Sequence, residues 1–261
     1  LESVGFAVAG IHAWALLRDP TSRLHRMAFG IALLVGGAAA VVQPFSGHIS
    51  ADHVAHHQPV KLAAMEGHFH TAKGANFHIG GWPDVEAREV RGSIEIPYLL
   101  SLLAFSDPTA EVRGLEAFPR DEWPPVPIVH IAFQIMIGIG SLLAGVALLF
   151  AFLTWRRRAL PTDPWLLRLV VVCGPLGLIA LEAGWTVTEV GRQPWVVHGL
   201  LRTADAVTPM PGLVVPFLVF SGLYAVLGFV SLGLLRRHLF ASTTYTESEA
   251  HTEEGGADAV T

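Results

Sequence analysis

The chain has 261 residues, of which 52% are hydrophobic and only 15% are charged. This composition is too apolar and too poor in charge for an ordinary soluble domain, and it is typical of a membrane protein. The net charge of -5 offers no basic surface for nucleic acid, and the single cysteine, Cys173, excludes a disulfide framework or a cysteine-rich metal site.

Five apolar runs follow one another along the chain. The first, Gly5 to Leu17, is too short to cross a bilayer, and because neither a methionine nor a charged flank precedes it, we interpret it as the end of a truncated helix. The other four are long enough to span as helices, and they are approximately Met27–Phe45, Ile128–Thr154, Trp165–Val187 and Leu213–Leu235. The sequence therefore predicts an all-α, polytopic transmembrane helix bundle, with four full transmembrane helices and a truncated first one.

Arginines cluster in alternate connections between these runs, at positions 18–26, 156–168 and 236–237. Short cytoplasmic loops carry an excess of basic residues, so these connections are predicted to be cytoplasmic. The long segment 46–126, which separates the helices of residues 1–45 from those of residues 127–241, is then external. Residues 242–261 are polar and acidic, and they are predicted to form a disordered cytoplasmic tail.

The stretch EAGWTVTEVGRQPW places ionisable residues at the end of the fourth run. On a helix, Glu182, Trp185 and Glu189 fall on one stripe, with Arg192 just beyond the helix end. Carboxylates are costly inside a membrane and usually mark an ion path, a proton relay or a ligand. The alternative is an interfacial salt bridge between Glu189 and Arg192 with aromatic residues around it.

The stretch HHQPVKLAAMEGHF lies in the long segment and predicts about two turns of helix that carry Lys61 and Glu66. Such a pair could bind a polar head group near the membrane surface and take protons from it, although two solvated charges would have the same pattern. Histidines surround the pair, at positions 48, 53, 56, 57, 68, 70 and 78. Their spacing does not match a defined zinc site, so a metal site and ordinary loop histidines both stay open.

The stretch VHIAFQIMIGIG carries Met136 near the external end of its helix. A thioether is a soft ligand that can hold haem iron, and Gly138 and Gly140 would let a flat macrocycle approach the backbone. A methionine and glycines on an apolar helix also occur for packing alone, which is the alternative.

QPVKLAAMEGHF, AFQIM and EAGW followed by GRQPW closely resemble subunit I of the cytochrome bd-type quinol oxidases of bacteria. The resemblance runs from about Phe6 to about His238 and corresponds to the C-terminal part of that nine-helix subunit, with a short external loop. It implies a plasma-membrane protein that oxidises ubiquinol or menaquinol at the outer side and reduces oxygen to water together with subunit II. The implied cofactors are a low-spin haem b, a high-spin haem b, and either haem d or a further haem b.

The resemblance also implies roles for single residues near the haems. Met136 matches the axial ligand of the low-spin haem b iron, and Glu189 matches the ligand of a high-spin haem iron. Trp185 lies beside the haems in this comparison, and Arg192 offsets haem charge. Gln134 departs from an arginine of some members, which leaves open how propionate charge near the low-spin haem is balanced.

Lys61 and Glu66 match the quinol-binding pair of the external loop, where they would hold the head group and receive its proton next to water. The role of Glu182, structural or in a proton route, stays open. The sequence is thus interpreted as a fragment of a terminal oxidase that is inactive by itself, since the histidine opposite Met136 would belong to a missing helix. The alternative is a haem-free transporter or scaffold subunit with a polar Glu/Arg pathway.

Overall fold

Helices dominate the computed structural model, which describes residues 1–234. In chain order they are α1 (Glu2–Arg18), α2 (Arg23–His57), α3 (Pro59–Glu66), α4 (Leu99–Phe105), α5 (Val126–Arg157), α6 (Pro164–Val190) and α7 (Val214–Leu234). Four of them, α2, α5, α6 and α7, are long and apolar enough to cross a membrane. The helical fold class and the four predicted spans are therefore confirmed. The predicted acidic tail, residues 242–261, lies outside the described residues.

Two compact units divide the chain, Leu1–Ala206 and Val207–Thr261. Within the described part of the second unit, α7 is the long apolar helix. Helices α1 to α6 belong to the first unit, and so do all the candidate site residues.

Helix α2 continues well beyond the apolar run from which it was predicted. That run ends at Phe45, whereas the helix passes through polar residues as far as His57 and accommodates Pro44 on the way. Near its end Asp52 and His56 pair across one turn, with 3.6 Å between Oδ1 and Nδ1. Hydropathy identifies the part of a helix that suits a bilayer, so it missed a polar extension of about 18 Å at 1.5 Å per residue.

Helix α1 packs against both α2 and α6 through small residues. A Cβ atom added at Gly5 would lie 2.4 Å from the Cα atom of Gly36 in α2, and one added at Gly10 would lie 3.2 Å from the Cα atom of Gly174 in α6. In lipid the hydrophobic effect does not drive helices together, so close backbone approach supplies the van der Waals attraction instead.

The connecting region, residues 58–125, joins α2 to α5 and contains short antiparallel strand pairs. β1 (Ala72–Lys73) pairs with β6 (Glu111–Val112), β2 (Phe77–Ile79) with β5 (Ile94–Ile96), and β3 (Trp82–Asp84) with β4 (Glu89–Arg91). The register aligns Ala72 with Val112, Phe77 with Ile96 and Trp82 with Arg91. Each pair therefore encloses the next one. After α6, β7 (Trp195–Val197) pairs with β8 (Leu201–Arg202).

Buried apolar side chains form two clusters at different levels of the first unit. One lies among α1, α2, α5 and α6, where the rings of Phe29 and Phe150 meet edge to face at 5.8 Å. The other joins α3 and the connecting region to the start of α5, and it includes Leu62, Leu115 and Val129. This second cluster fixes α3 against the helix that carries Met136.

Candidate functional site

Glu66 is the last residue of α3 and is buried, with 3% of its surface exposed. The helix ends here because Gly67 adopts a left-handed φ of 63°, which lets the N–H of His68 donate to the Ala63 carbonyl oxygen at 2.8 Å. Among the described residues, the Oε2 atom of Glu66 has no hydrogen-bond partner, and burial raises the pKa of this carboxyl to about 8. Glu66 is therefore mostly protonated at neutral pH, and it is shielded from water, whereas the sequence predicts a group next to water.

Lys61 points to another side of α3, because five residues of α-helix rotate a side chain by about 140° beyond one full turn. Its Nζ atom donates to the Thr188 carbonyl oxygen of α6 at 3.4 Å, and its aliphatic stem packs on Gly191. Desolvation and the nearby charge of Arg192 lower the pKa of Lys61, and the carboxylate of Glu189 partly opposes this. Lys61 thus interacts electrostatically with the charged residues at the end of α6.

A cavity of about 270 Å³ lies between α3 and the segment that follows α6. Lys61 and Arg192 both line it, together with Gln58, Glu122, Trp195 and His198. An ion pair between Arg202 and Asp121, with 2.8 Å between Nη2 and Oδ2, connects β8 to the connecting region beside this cavity. The structure therefore brings Lys61 and Arg192 together, while Glu66 is not among the residues that line the cavity.

Glu182, Trp185 and Glu189 lie on α6 as predicted, and Arg192 follows Gly191 just after the helix ends. Trp185 is 63% exposed, and both carboxylates are exposed as well. The ion pairs found among residues 1–234 include neither Glu182 nor Glu189, so the alternative of a Glu189–Arg192 salt bridge is not observed. These side chains are free to contact another molecule.

Met136 lies on the face of α5 that meets α6. A Cβ atom added at Gly184 would lie 3.0 Å from Sδ of Met136, so the thioether occupies the space that this glycine leaves open. Cβ atoms added at Gly138 and Gly140 would meet nothing within 4 Å. The structure thus places Met136 beside the EAGW segment, and it leaves α5 uncovered at Gly140, one turn further along the same side, and at Gly138 on the other side.

His130 and Gln134 both reach the connecting region; sequence analysis did not single out His130, and it noted Gln134 only as a departure from an arginine near the low-spin haem. His130 is fully buried, and its Nδ1 and Nε2 atoms lie 2.9 Å from the Met65 carbonyl oxygen and 3.3 Å from the Gly80 carbonyl oxygen. The Gln134 side chain accepts from the Gly80 N–H at 2.9 Å and donates to the His78 carbonyl oxygen at 2.8 Å. Gln134 therefore binds the connecting region. The sequence signal for these contacts was the presence of two polar residues, four positions apart, in an otherwise apolar run.

The histidines at the end of α2 and in the connecting region do not gather into a metal site. Among the described residues, no group of three or more histidine, cysteine, aspartate or glutamate side chains is arranged to hold a metal ion. His53 and His57 stack on the outside of α2 at 4.1 Å between ring centroids, and His68 is buried against the Val112 carbonyl oxygen. The histidine pattern is explained here by helix and loop contacts.

Residues 1–242 match the model of one family, described as cytochrome bd terminal oxidase subunit I. The chain belongs to this family. The predicted resemblance is therefore confirmed over nearly the whole chain.

Individual cytochrome bd proteins agree with this assignment. A Bacillus subtilis (strain 168) protein provisionally named cytochrome bd menaquinol oxidase subunit I is 40% identical over 244 residues, which cover 89% of this chain and 54% of that protein. The cytochrome bd-II ubiquinol oxidase subunit 1 of Escherichia coli (strain K12) is 27% identical over 317 residues, covering 95% of this chain and 62% of that protein.

A solved structure extends the agreement to the fold. The bd oxidase from Geobacillus thermodenitrificans superposes with a TM-score of 0.78 at 36% identity, covering 90% of this chain and 54% of the matched chain. The chain thus spans about half the length of these cytochrome bd relatives. The roles of single residues, which no comparison tests, remain predictions.

Proposed function

We propose that this chain forms the quinol-binding and part of the haem-binding region of a cytochrome bd-type quinol:oxygen oxidoreductase. The observation that carries the proposal is the convergence of Lys61, from the connecting region, with Arg192, from the end of α6, around one cavity. Both motifs were singled out for separate reasons, and their meeting would give a quinol site and a haem site a shared boundary. Membership in the cytochrome bd subunit I family supports the same function.

The residues present fit a haem. A thioether and a carboxylate are both ligands that iron accepts, so Met136 would hold a low-spin haem b and Glu189 a high-spin haem. The uncovered position at Gly140, one turn beyond Met136, and the exposed indole of Trp185 would receive a flat apolar ring. Haem, when bound, supplies one-electron redox chemistry. Arg192 would offset negative charge in a site where unpaired charge is expensive.

Lys61 and Glu66 would divide the handling of quinol between them. The Lys61 ammonium lies at the cavity, where it would donate to a quinol oxygen and favour its anionic form. Glu66 is buried at the end of the same short helix, and with a pKa of about 8 it is ionised in only a minority of molecules at neutral pH; in that form it would accept a proton from quinol. We therefore assign Lys61 to binding and Glu66 to proton transfer.

The membrane arrangement follows from the distribution of arginines. With the arginine-rich connections in the cytoplasm, the connecting region and the cavity lie on the outer side of the plasma membrane. Exposed apolar faces of the spanning helices would meet lipid, the remainder of subunit I and subunit II. The oxygen site would carry haem d or a second high-spin haem b, and the substrate would be ubiquinol or menaquinol.

The proposal is tested with the full-length subunit purified together with subunit II. We expect a low-spin haem b band in the reduced-minus-oxidised spectrum, a carbon-monoxide-binding haem, and quinol-dependent oxygen uptake. Lys61→Met should lower the rate at limiting quinol, whereas Lys73→Met, at an exposed lysine in β1, should not. A complex without any haem absorption would refute the oxidase and favour a haem-free transporter in which Glu182, Glu189 and Arg192 line a polar pathway.

A further inference from the structure

One face of α5 is attached to the connecting region by side-chain hydrogen bonds. His130 and Gln134 lie one turn apart on this face, and His130 has no exposed surface. Both reach Gly80, which lies just after β2: Gln134 accepts from its N–H, and Nε2 of His130 faces its carbonyl oxygen. Because the Gly80 N–H can only donate and the His78 carbonyl can only accept, these two partners fix the orientation of the Gln134 amide.

The second contact of His130 leads to Glu66. Nδ1 of His130 lies 2.9 Å from the Met65 carbonyl oxygen, and a Cβ atom added at Gly67 would lie 3.3 Å from the same nitrogen. The imidazole thus contacts the backbone just before Glu66 and lies close to Gly67 just after it. A neutral imidazole has a single N–H, and the shorter distance assigns it to Nδ1. The ring therefore donates mainly to α3.

We propose that His130 and Gln134 are positioning residues for quinol oxidation, which hold the C-terminal end of α3, and with it Glu66, in a fixed position relative to α5. This proposal rests on the proposed function. The opposite face of α5 carries Met136, so a single rigid helix sets the place of the proton acceptor and of the predicted haem ligand. Neither residue contacts the reacting atoms, and each acts through the backbone of the connecting region.

A matched pair of substitutions at His130 separates its two contacts. The amide of asparagine reaches the position of Nδ1, so His130→Asn can still donate to Met65. The amide of glutamine reaches the position of Nε2, so His130→Gln loses the donor to Met65 and can donate only to the Gly80 carbonyl oxygen. We expect His130→Gln to lower kcat/KM for quinol by roughly three- to tenfold, the value of one hydrogen bond, and His130→Asn to stay within about twofold of the wild type.

The measurements use the full complex and include a reading that does not depend on turnover. Hydrogen exchange of residues 64–82 should be faster in His130→Gln than in His130→Asn, with unchanged haem spectra in both. Gln134→Glu retains the acceptor for Gly80 but loses the donor to His78, so it should accelerate exchange mainly around β2. Val129→Ala, which truncates a buried neighbour without polar groups, is the packing control.

Equal kcat/KM and equal exchange in the two His130 variants would overturn the proposal. So would a loss of haem and assembly in both variants that Val129→Ala reproduces, since the ring would then only fill space. A wild-type complex that binds haem but does not oxidise quinol would refute the proposed function and this inference with it. That outcome is seen in the wild type alone, before any variant is measured.

Discussion

Replacing Glu66 with glutamine removes an ionisable group while it keeps the size of the side chain. Glu66 is buried, and burial raises the pKa of its carboxyl from 4.5 to about 8. A raised pKa means that the folded protein favours the protonated form of the Glu66 carboxyl. The contribution of Glu66 to the free energy of unfolding is therefore fully present below pH 4.5, declines as the pH rises, and is lost above about pH 8.

The size of this loss in unfolding free energy follows from the difference between the ambient pH and the ordinary pKa of a glutamate. At pH 7 the folded protein keeps a proton that the unfolded chain releases with a pKa of 4.5, and at about 1.4 kcal/mol per pH unit this costs about 3 to 4 kcal/mol. The amide of glutamine needs partners of its own, but any cost of that kind is the same at every pH. The variant should therefore gain stability relative to the wild type as the pH rises.

Thermal unfolding of the purified complex, followed by tryptophan fluorescence between about pH 5 and pH 9, measures this difference. The midpoint of Glu66→Gln minus that of the wild type should increase steadily up to about pH 8 and then level off. Infrared titration reads the same group directly, since the carbonyl band of the protonated carboxyl should persist to about pH 8 and be missing in the variant.

Glu116→Gln provides the control of opposite sign. The Glu116 carboxylate accepts from His70 at 2.9 Å, and this hydrogen bond lowers the pKa of Glu116. Its stabilising effect is present above the ordinary pKa and disappears as the pH falls, so this variant should lose stability at neutral pH. A flat difference for Glu66→Gln, or a carbonyl band lost near pH 4.5, would show that the Glu66 side chain reaches water.

Three further predictions concern the helices and the rim of the cavity. Met136→Leu keeps the apolar volume but removes the thioether, so the low-spin haem band should disappear from the spectrum while circular dichroism keeps its helical signal. Gly36→Ala pushes a methyl group into the backbone of α1, and it should cost about 1 to 3 kcal/mol and lower the unfolding midpoint of the complex. Gly145→Ala, where nothing lies within 4 Å of the added Cβ, is its control and should leave the midpoint unchanged. Asp121→Asn breaks an exposed ion pair with Arg202, so we expect a change below about 1 kcal/mol, and a larger drop in the midpoint would contradict its exposure.

Sequence analysis predicted the long helices because a bilayer imposes a simple rule on length and hydropathy. The apolar runs located α2, α5, α6 and α7 to within a few residues at most ends. The same rule could not find the end of α2, since the helix continues as far as His57 outside the range in which hydropathy is informative.

The site was predictable as a set of residues and unpredictable as an arrangement. Motif resemblance selected Lys61, Glu66 and Arg192, and the structure confirms the short helix that carries the first two. Their separation onto different sides of that helix follows from helical geometry, but the burial of Glu66 depends on residues far along the chain. His130 bonds to Met65, 65 residues away in sequence, and no local pattern encodes such a contact.

The enclosed order of the strand pairs has a consequence for how this region can change in length. Each strand pair holds together the two ends of the segment that it encloses. Residues added between β3 and β4, or between β5 and β6, therefore leave the paired strands where they are. Lengthening a loop costs little conformational entropy once its ends are held, because the cost grows only with the logarithm of its length. The connecting region can thus diverge in size across species while the α3 end stays in place.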